Sequence, residues 1–279
     1  VTVVDLWVNA LSASAAQAFT GREENAGVAD LFGADPAAGA ADDPLAALVA
    51  TMDACGVDTG VLAAGLSDPG TEDLLERAAT YPGRLLVALT ADRPQRPLSQ
   101  VRRLRALAAH PLVRLVRVTP LVHQLPLNHR CYYPLYAACS ELGLPVSVNI
   151  GVPGPRVRSA CQHPELLEDL LIDLPGLVVI GAHMGHPYEA LLMTYLLKWP
   201  DLYLSTSAYL ARYMDPALVA FMDSSRGSGR VLFASDHPFL PLPKALAAAR
   251  ALPLAEGAMA AFLGGTAARL LERGVQPGN

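Results

Sequence analysis

The chain has 279 residues, enough for one large α/β domain, and it is 52% hydrophobic and only 17% charged, which excludes an intrinsically disordered chain. A formal net charge of −5 excludes a general nucleic-acid binder, since Arg102, Arg103 and Arg105 form the one dense basic group and read as a solvated helix face. The longest apolar run, around Leu177–Ala182, is strand length, so no membrane-spanning helix is expected.

In chain order, Val1–Val8 reads as a strand and Leu11–Asp43 as a long Ala- and Gly-rich segment that breaks the later rhythm. Pro44–Cys55 has apolar residues at helical spacing, and Val57–Ala63 and Arg84–Leu89 are strands on either side of a helix over Thr71–Thr80. The Thr-Glu-Asp opening of that helix puts acids where the helix dipole favours them. Leu98–Ala109 is a helix and Val113–Val118 a strand. Tyr133–Leu142 is a helix stopped by Gly143, and Pro145–Ile150 the strand after it. Pro164–Asp173, Tyr188–Trp199 and Asp215–Met222 are helices, alternating with strands at Leu177–Ala182, Leu202–Thr206 and Val231–Ala234. Lys244–Leu252 and Glu256–Arg273 are closing helices, and Gln276–Asn279 a frayed tail.

Eight β/α units in this length predict a single (β/α)₈ TIM barrel. No GxGxxG follows the first strand, which weighs against dinucleotide binding. Cys55, Cys131, Cys139 and Cys161 have no CxxC spacing and are expected as reduced thiols. Val1–Ala10 lacks the basic start of a signal peptide, and a cytoplasmic location is the expectation.

In such a barrel the active site is built at the C-terminal ends of the strands. Strand one offers Trp7 and Asn9 there, which the two-residue period places on one side. Strand four offers Arg117 and Thr119, with His123 just beyond, and strand five offers Asn149. Strand six ends in His183, with His186 close behind. Strand seven offers Thr206 and Ser207, and strand eight Asp236 and His237. The segment Leu11–Asp43 would lie on the same face, as a lid or as a mobile surface insertion. His110 and His163 precede prolines and read as structural. Arg117 and Arg212 could each meet an anionic substrate or form surface ion pairs, the second being the better reading for Arg212.

Five short motifs then point the same way. Met52-Asp53-Ala54-Cys55-Gly56-Val57-Asp58, Glu141-Leu142-Gly143-Leu144-Pro145-Val146, Ala182-His183-Met184-Gly185, Ala234-Ser235-Asp236-His237-Pro238 and Phe262–Leu271 occur in this order. Together they resemble the amidohydrolase superfamily, in its amidohydrolase-related branch of hydrolases and decarboxylases, the one similar to aminocarboxymuconate-semialdehyde decarboxylase. The resemblance implies a catalytic metal held by two histidines on strand one, a histidine ending strand five and an aspartate ending strand eight. Those places hold Trp7, Asn9, Asn149 and Asp236 here. It also implies a proton-shuttling histidine at the end of strand six, which is His183.

One carboxylate with neutral amides is a poor zinc site, so neither metal nor other cofactor is expected. The favoured expectation is a metal-independent lyase, dehydratase, isomerase or cyclase using His183 and Asp236 as acid and base. Trp7, Asn9, Arg117, His123, Asn149, His186, Thr206 and His237 are the expected substrate-binding residues, around a small, largely apolar molecule. One alternative is a metal-dependent hydrolase or decarboxylase with a shifted site that recruits His183, Asp236 and His237 or His123. Another is a non-catalytic binding protein. The expected partner is a small-molecule substrate rather than nucleic acid or membrane, and a homodimer is compatible with the chain.

Overall fold

The computed structural model describes residues 1–32 and 41–272. Its sheet holds eight strands in chain order: β1 (Val4–Val8), β2 (Thr59–Gly65), β3 (Leu85–Thr90), β4 (Val113–Val118), β5 (Val146–Asn149), β6 (Val179–Ala182), β7 (Leu202–Ser205) and β8 (Val231–Leu232). Neighbours pair in parallel throughout. The ring closes where Asn9 N–H donates to His237 O and Asp236 N–H to Trp7 O, both at 2.8 Å. The fold is a (β/α)₈ barrel, as the alternation predicts.

The helices are α1 (Ala13–Thr20), α2 (Val28–Phe32), α3 (Pro44–Cys55), α4 (Thr71–Ala79), α5 (Pro97–Leu107), α6 (Pro120–His123) and α7 (Tyr133–Leu142), followed by α8 (Leu167–Asp173), α9 (Glu189–Lys198), α10 (Pro216–Asp223), α11 (Leu242–Arg250), α12 (Glu256–Ala260) and α13 (Thr266–Glu272). α3 shows why local sequence fixes such elements. Asp43 accepts from the free N–H groups of Leu45 and Ala46, Pro44 sits in the first turn, and Gly56 ends the helix at φ 70°. None of the described helices is long and apolar enough to cross a membrane.

Two apolar layers hold the barrel. Inside it, Val4, Leu6, Val61, Ala88, Leu115, Ile180, Leu232 and Ala234 pack together, and Ala267, Leu270 and Leu271 of α13 join them. The other strand face packs on the helices through residues such as Val87, Val116, Val148 and Val179 with Leu104, Tyr136 and Leu170. This period-two division leaves the polar residues at the strand ends as the mouth of the barrel. All four cysteines are free thiols.

Several boundaries differ from expectation for identifiable reasons. β1 begins at Val4 rather than Val1, and β2 is shifted to Thr59–Gly65 because Val57 N–H caps α3 on Met52 O at 2.9 Å. β8 stops at Leu232, since Phe233 N–H turns to Phe262 O at 3.0 Å. Pro164–Leu166 forms a 3-10 turn before α8. The closing stretch Glu256–Arg273 is not one helix: a wide turn at Ala261–Gly265 separates α12 from α13. A Cβ on Gly264 would stand 2.4 Å from Thr2 O and 2.7 Å from Val4 N, so the break lets this turn lie against the start of β1. Arg273 and the tail Gln276–Asn279 lie outside the described residues.

The segment Leu11–Asp43 carries α1, a 3-10 turn at Glu23–Asn25 and α2, with residues 33–40 outside the described residues. Phe19 packs on Phe239 beyond β8 at 4.5 Å between ring centroids, and Arg156 N–H, beyond β5, donates to Glu24 O at 2.7 Å.

Candidate active site

The seam between β8 and β1 is held by a buried acid that sequence reasoning passed over. Asp5 accepts from Ser235 Oγ at 2.5 Å, Ser235 N at 2.9 Å and Trp7 N at 3.1 Å. Burial pushes its carboxyl up to about 6, against the lowering effect of those bonds and of Arg117. The signal was an acidic residue inside an otherwise apolar strand. Its bond to Trp7 N coincides with a register irregularity between Asp5 and Val8, where the indole emerges at the barrel mouth.

Trp7 is the centre of the constellation. The Arg117 guanidinium lies over its ring, 3.9 Å from the centroid, and the His183 imidazole is tilted against it at 5.0 Å. Asn9 follows on the same strand, and its Nδ2 donates to Asp236 Oδ1 at 2.9 Å and to His237 O at 3.0 Å. Trp7, Asn9, Arg117, His183 and Asp236 are thus brought together.

His183 and Asp236 sit in left-handed backbone at φ 63° and 66°, which costs a non-glycine residue about 1–3 kcal/mol and clusters at functional sites. His183 Nδ1–H donates to Ser207 O at 2.9 Å. A carbonyl only accepts, so the neutral ring presents Nε2 as a free acceptor. Burial pushes this imidazole down to about 4, and the positive charge of Arg117 acts in the same direction against the Ser207 bond. Burial also pushes the Asp236 carboxyl up to about 7, against the Asn9 bond and Arg117 and with the help of Asp5. Near neutral pH Asp236 is therefore poised between its acid and its carboxylate form, while His183 keeps an open lone pair. Titratable groups whose environments push them in opposite directions are a pattern found where acid and base roles are divided.

Gly151, just beyond β5, sets the height of the His183 loop. It adopts φ 87°, and a Cβ there would lie 2.5 Å from Gly185 C and 2.6 Å from His186 O.

Arg117 is fully buried, so the surface ion pair considered for it does not exist. Its Nη2 donates to Leu6 O at 2.8 Å and Val61 O at 3.0 Å, while Nε and Nη1 are buried without a partner. Burial brings the group down to about 9, held up by Asp236 and Asp5, so it remains cationic at neutral pH. Asn149 is buried as well, and its Oδ1 lacks a partner. Arg212 donates to the neighbouring Tyr213 hydroxyl at 2.7 Å.

The other expected binding residues are placed differently. The Thr206 hydroxyl donates to Ala234 O at 2.7 Å and accepts from Ala234 N at 2.9 Å, which ties β7 to β8 and leaves it little capacity for a ligand. His123 points its Nε2 at Ala91 O at 3.2 Å, beyond β3, and no contact links it to Trp7. Burial lowers its pKa. His237 accepts from Leu242 N on Nδ1 at 3.4 Å, and burial lowers its pKa too. His186 stands exposed on the rim, its Nδ1 2.6 Å from the buried Glu189 and its ring stacked near Tyr209. His110 and His163 accept backbone N–H groups at Leu112 and Glu165, which fits their structural reading.

A cavity of about 310 Å³ opens at the ends of β2 and β3, lined by Ala63, Gly65, Asp68, Thr90 and Asp92. Its one strand link to the constellation is Thr90, which pairs with Arg117 in the sheet, and none of Trp7, Asn9, Arg117, His183 and Asp236 lines it. A larger one of about 400 Å³, lined by Asp53, Asp58 and Arg84, lies where β2 and β3 begin, away from these residues.

Among solved structures, the chain is similar to an uncharacterised TIM-barrel protein from Bordetella bronchiseptica, at 24% identity and a TM-score of 0.81 over 98% of this chain and 99% of the other. It is also similar to 5-carboxyvanillate decarboxylase from Novosphingobium aromaticivorans, solved with manganese and 4-hydroxy-3-methoxy-5-nitrobenzoic acid, at 16% identity and a TM-score of 0.74 over 97% and 96%. A third likeness is to 4-oxalomesaconate hydratase from Rhodopseudomonas palustris, at 15% identity and a TM-score of 0.66 over 98% and 96%. At these identities the likeness establishes the fold. A comparison with curated proteins finds no match. Residues 12–273 match the Amidohydrolase family, and the chain belongs to it.

Proposed function

We propose that this chain is a proton-transfer enzyme of lyase type, acting without a resident metal on a small, largely apolar organic acid. The observation that carries the reading is the placement of His183 against the Trp7 ring and of Asp236 on Asn9, two residues along the same strand, with their ionisations displaced in opposite directions. Near neutrality His183 Nε2 can take a proton while Asp236 can give one. In a decarboxylation, Asp236 delivers its proton to the carbon that loses carbon dioxide, and the electron pair of the broken C–C bond forms the new C–H bond. In a dehydration, His183 removes a proton from carbon and Asp236 protonates the departing hydroxyl. The decarboxylase and the hydratase among the similar structures support this class of chemistry and an unsaturated or aromatic acid as substrate.

The side chains at the expected metal positions do not fit the family's ion. Trp7 has no ligating atom, and the Asn9 amide nitrogen is engaged by Asp236 and His237. Among the described residues no three His, Cys, Asp or Glu side chains group as a metal ion would need. Arg117 adds a fixed positive charge close enough to influence Asp236, which would repel a second cation.

The second reading is a metal-dependent decarboxylase with a shifted site, and the manganese in the similar decarboxylase favours it. Protein purified without chelator separates the two. On the first reading it carries well under one equivalent of manganese, zinc or iron, and chelator leaves carbon dioxide release from a panel of hydroxybenzoates and unsaturated acids unchanged. Stoichiometric metal whose removal abolishes turnover would establish the second reading instead.

A further inference from the structure

Arg117 presents an accounting problem that its own neighbours do not solve. Among the described residues it is the largest side chain that is fully buried, and only Nη2 among its three nitrogens has an acceptor. Nε and Nη1 are enclosed with none. Ionised donors buried without partners are costly, and native structures keep them where a ligand, ion or water completes them. The sheet register shows what surrounds this unfilled edge. Thr90 and Ser147 flank Arg117 on the adjacent strands. Asn149 lies two residues beyond Ser147 on the same face, with its Oδ1 also buried and unfilled.

The unmet set is therefore two charged donors and one acceptor. A carboxylate that carries a neighbouring hydroxyl complements it: the oxygens face the guanidinium edge in fork geometry, and the hydroxyl proton faces Asn149. The Trp7 indole covers the guanidinium at 3.9 Å and is itself partly exposed at the mouth. An incoming group gains the free edge when the indole turns aside.

We propose that Arg117 replaces the family's metal as the resident cation of this site and that its Nε–Nη1 edge anchors the carboxylate of the bound acid, with Trp7 as the moving cover. The inference rests on the metal-free reading above. Asp5 and Asp236 lie close enough to act on the guanidinium when the site is empty, and the ligand would bring an anion to a charge already in place.

The test is binding of salicylate (2-hydroxybenzoate) against salicylamide, its neutral counterpart. It is followed by calorimetry and by tryptophan emission in a Trp199→Phe background, where Trp7 is the one indole left. Salicylate should bind at least about tenfold more tightly than salicylamide, the scale on which a charged hydrogen-bonded pair discriminates. It should also change Trp7 emission. Arg117→Met should abolish the preference, and Arg117→Lys should weaken it, because the charge stays while the fork is lost. Circular dichroism establishes that each variant is folded, and if Arg117→Met is not, the lysine variant decides. Equal binding of acid and amide, no binding of the acid, or a preference of undiminished size in a folded Arg117→Met or Arg117→Lys variant would overturn the proposal. Binding abolished by chelator and restored by manganese would instead bring down the metal-free reading itself.

Discussion

The ends of β6–β8 and the ends of β2–β4 lie on opposite sides of the ring and are built by different rules. On the first side four non-glycine residues, His183, Met184, Ala208 and Asp236, hold left-handed backbone between φ 56° and 66°. On the second, the β2–β3 pairing runs in register from Gly60–Leu85 to Gly65–Thr90, and the β3–β4 pairing shifts once, between Val87 and Ala88. Its one left-handed non-glycine residue, Gln124, lies beyond α6. The strained side carries the groups whose ionisation is displaced in opposite directions. The second side contributes the cavity wall and Arg117. The proposed proton chemistry thus falls where left-handed backbone is concentrated, and the charge that acts on it comes from the wall opposite.

The largest expected effects lie on the strained side. His183→Ala and Asp236→Asn should each lower turnover by roughly 10²–10⁴-fold with folding retained. The double variant should be little worse than the poorer single one, because residues that act as a unit are not additive. Steady-state rates with any acid found to turn over would decide this, and near-normal rates in both single variants would erase the distinction between the two sides.

Trp7 bridges the sides, so Trp7→Ala should reach both. A fully buried aromatic loses about 3–5 kcal/mol on truncation, and the partial exposure of Trp7 brings the expected loss of stability to about 2–3 kcal/mol. Denaturant midpoints measure it. A loss near zero would mean that the indole does not link Arg117 to His183 energetically.

Stability should also depend on pH in a way that separates the groups. Asp236 holds its proton to about 7 in the fold against 3.8 in the unfolded chain, so its contribution is whole below pH 4 and is lost as pH rises through about 7. Asp5 has the same sign, with its contribution lost as pH rises from about 4 through about 6. His183 has the opposite sign: depressed from 6.5 to about 4, it contributes fully above pH 6.5 and loses that contribution as pH falls through about 4. Urea midpoints should therefore fall between pH 5 and about 7 and level off above it, and Asp236→Asn should flatten that fall. An unchanged slope in the variant would contradict the assignment.

The smallest effect is reserved for Thr206→Val. It removes the hydroxyl that joins β7 to β8 at Ala234 and should cost about 1 kcal/mol of stability with turnover close to the parent's. A large loss of turnover would return Thr206 to the substrate.

Local chemistry was legible in the sequence where an element carries its own signals. Pro44–Cys55, Val113–Val118 and Tyr133–Leu142 lie where spacing and end residues put them. The closing helix was not, because its break at Gly264 answers to the backbone of Thr2 and Val4, more than 250 residues away by sequence and 2.4 Å from a would-be Cβ. Site residues divide in the same way. Motif and strand position located Trp7, His183 and Asp236. The engagement of Asn9 by Asp236, of Thr206 by Ala234 and of Asp5 by Ser235 depends on partners from other strands, which no local pattern encodes.

The meeting of β8 with β1 has a temporal consequence. β8 pairs over only two residues, and the link from Asp5 to Ser235 with the bonds beyond it joins the last strand to the first. Trp7 and Asn9 come from one edge of that joint, Asp236 and His237 from the other. A nascent chain that has released everything up to β7 still lacks Asp236 beside Asn9, so competence should arrive in one step, with the final turn of the ring. Fragments cut between β7 and β8 should regain activity only when mixed, and should do so together with the protection of Asp236 N–H from hydrogen exchange.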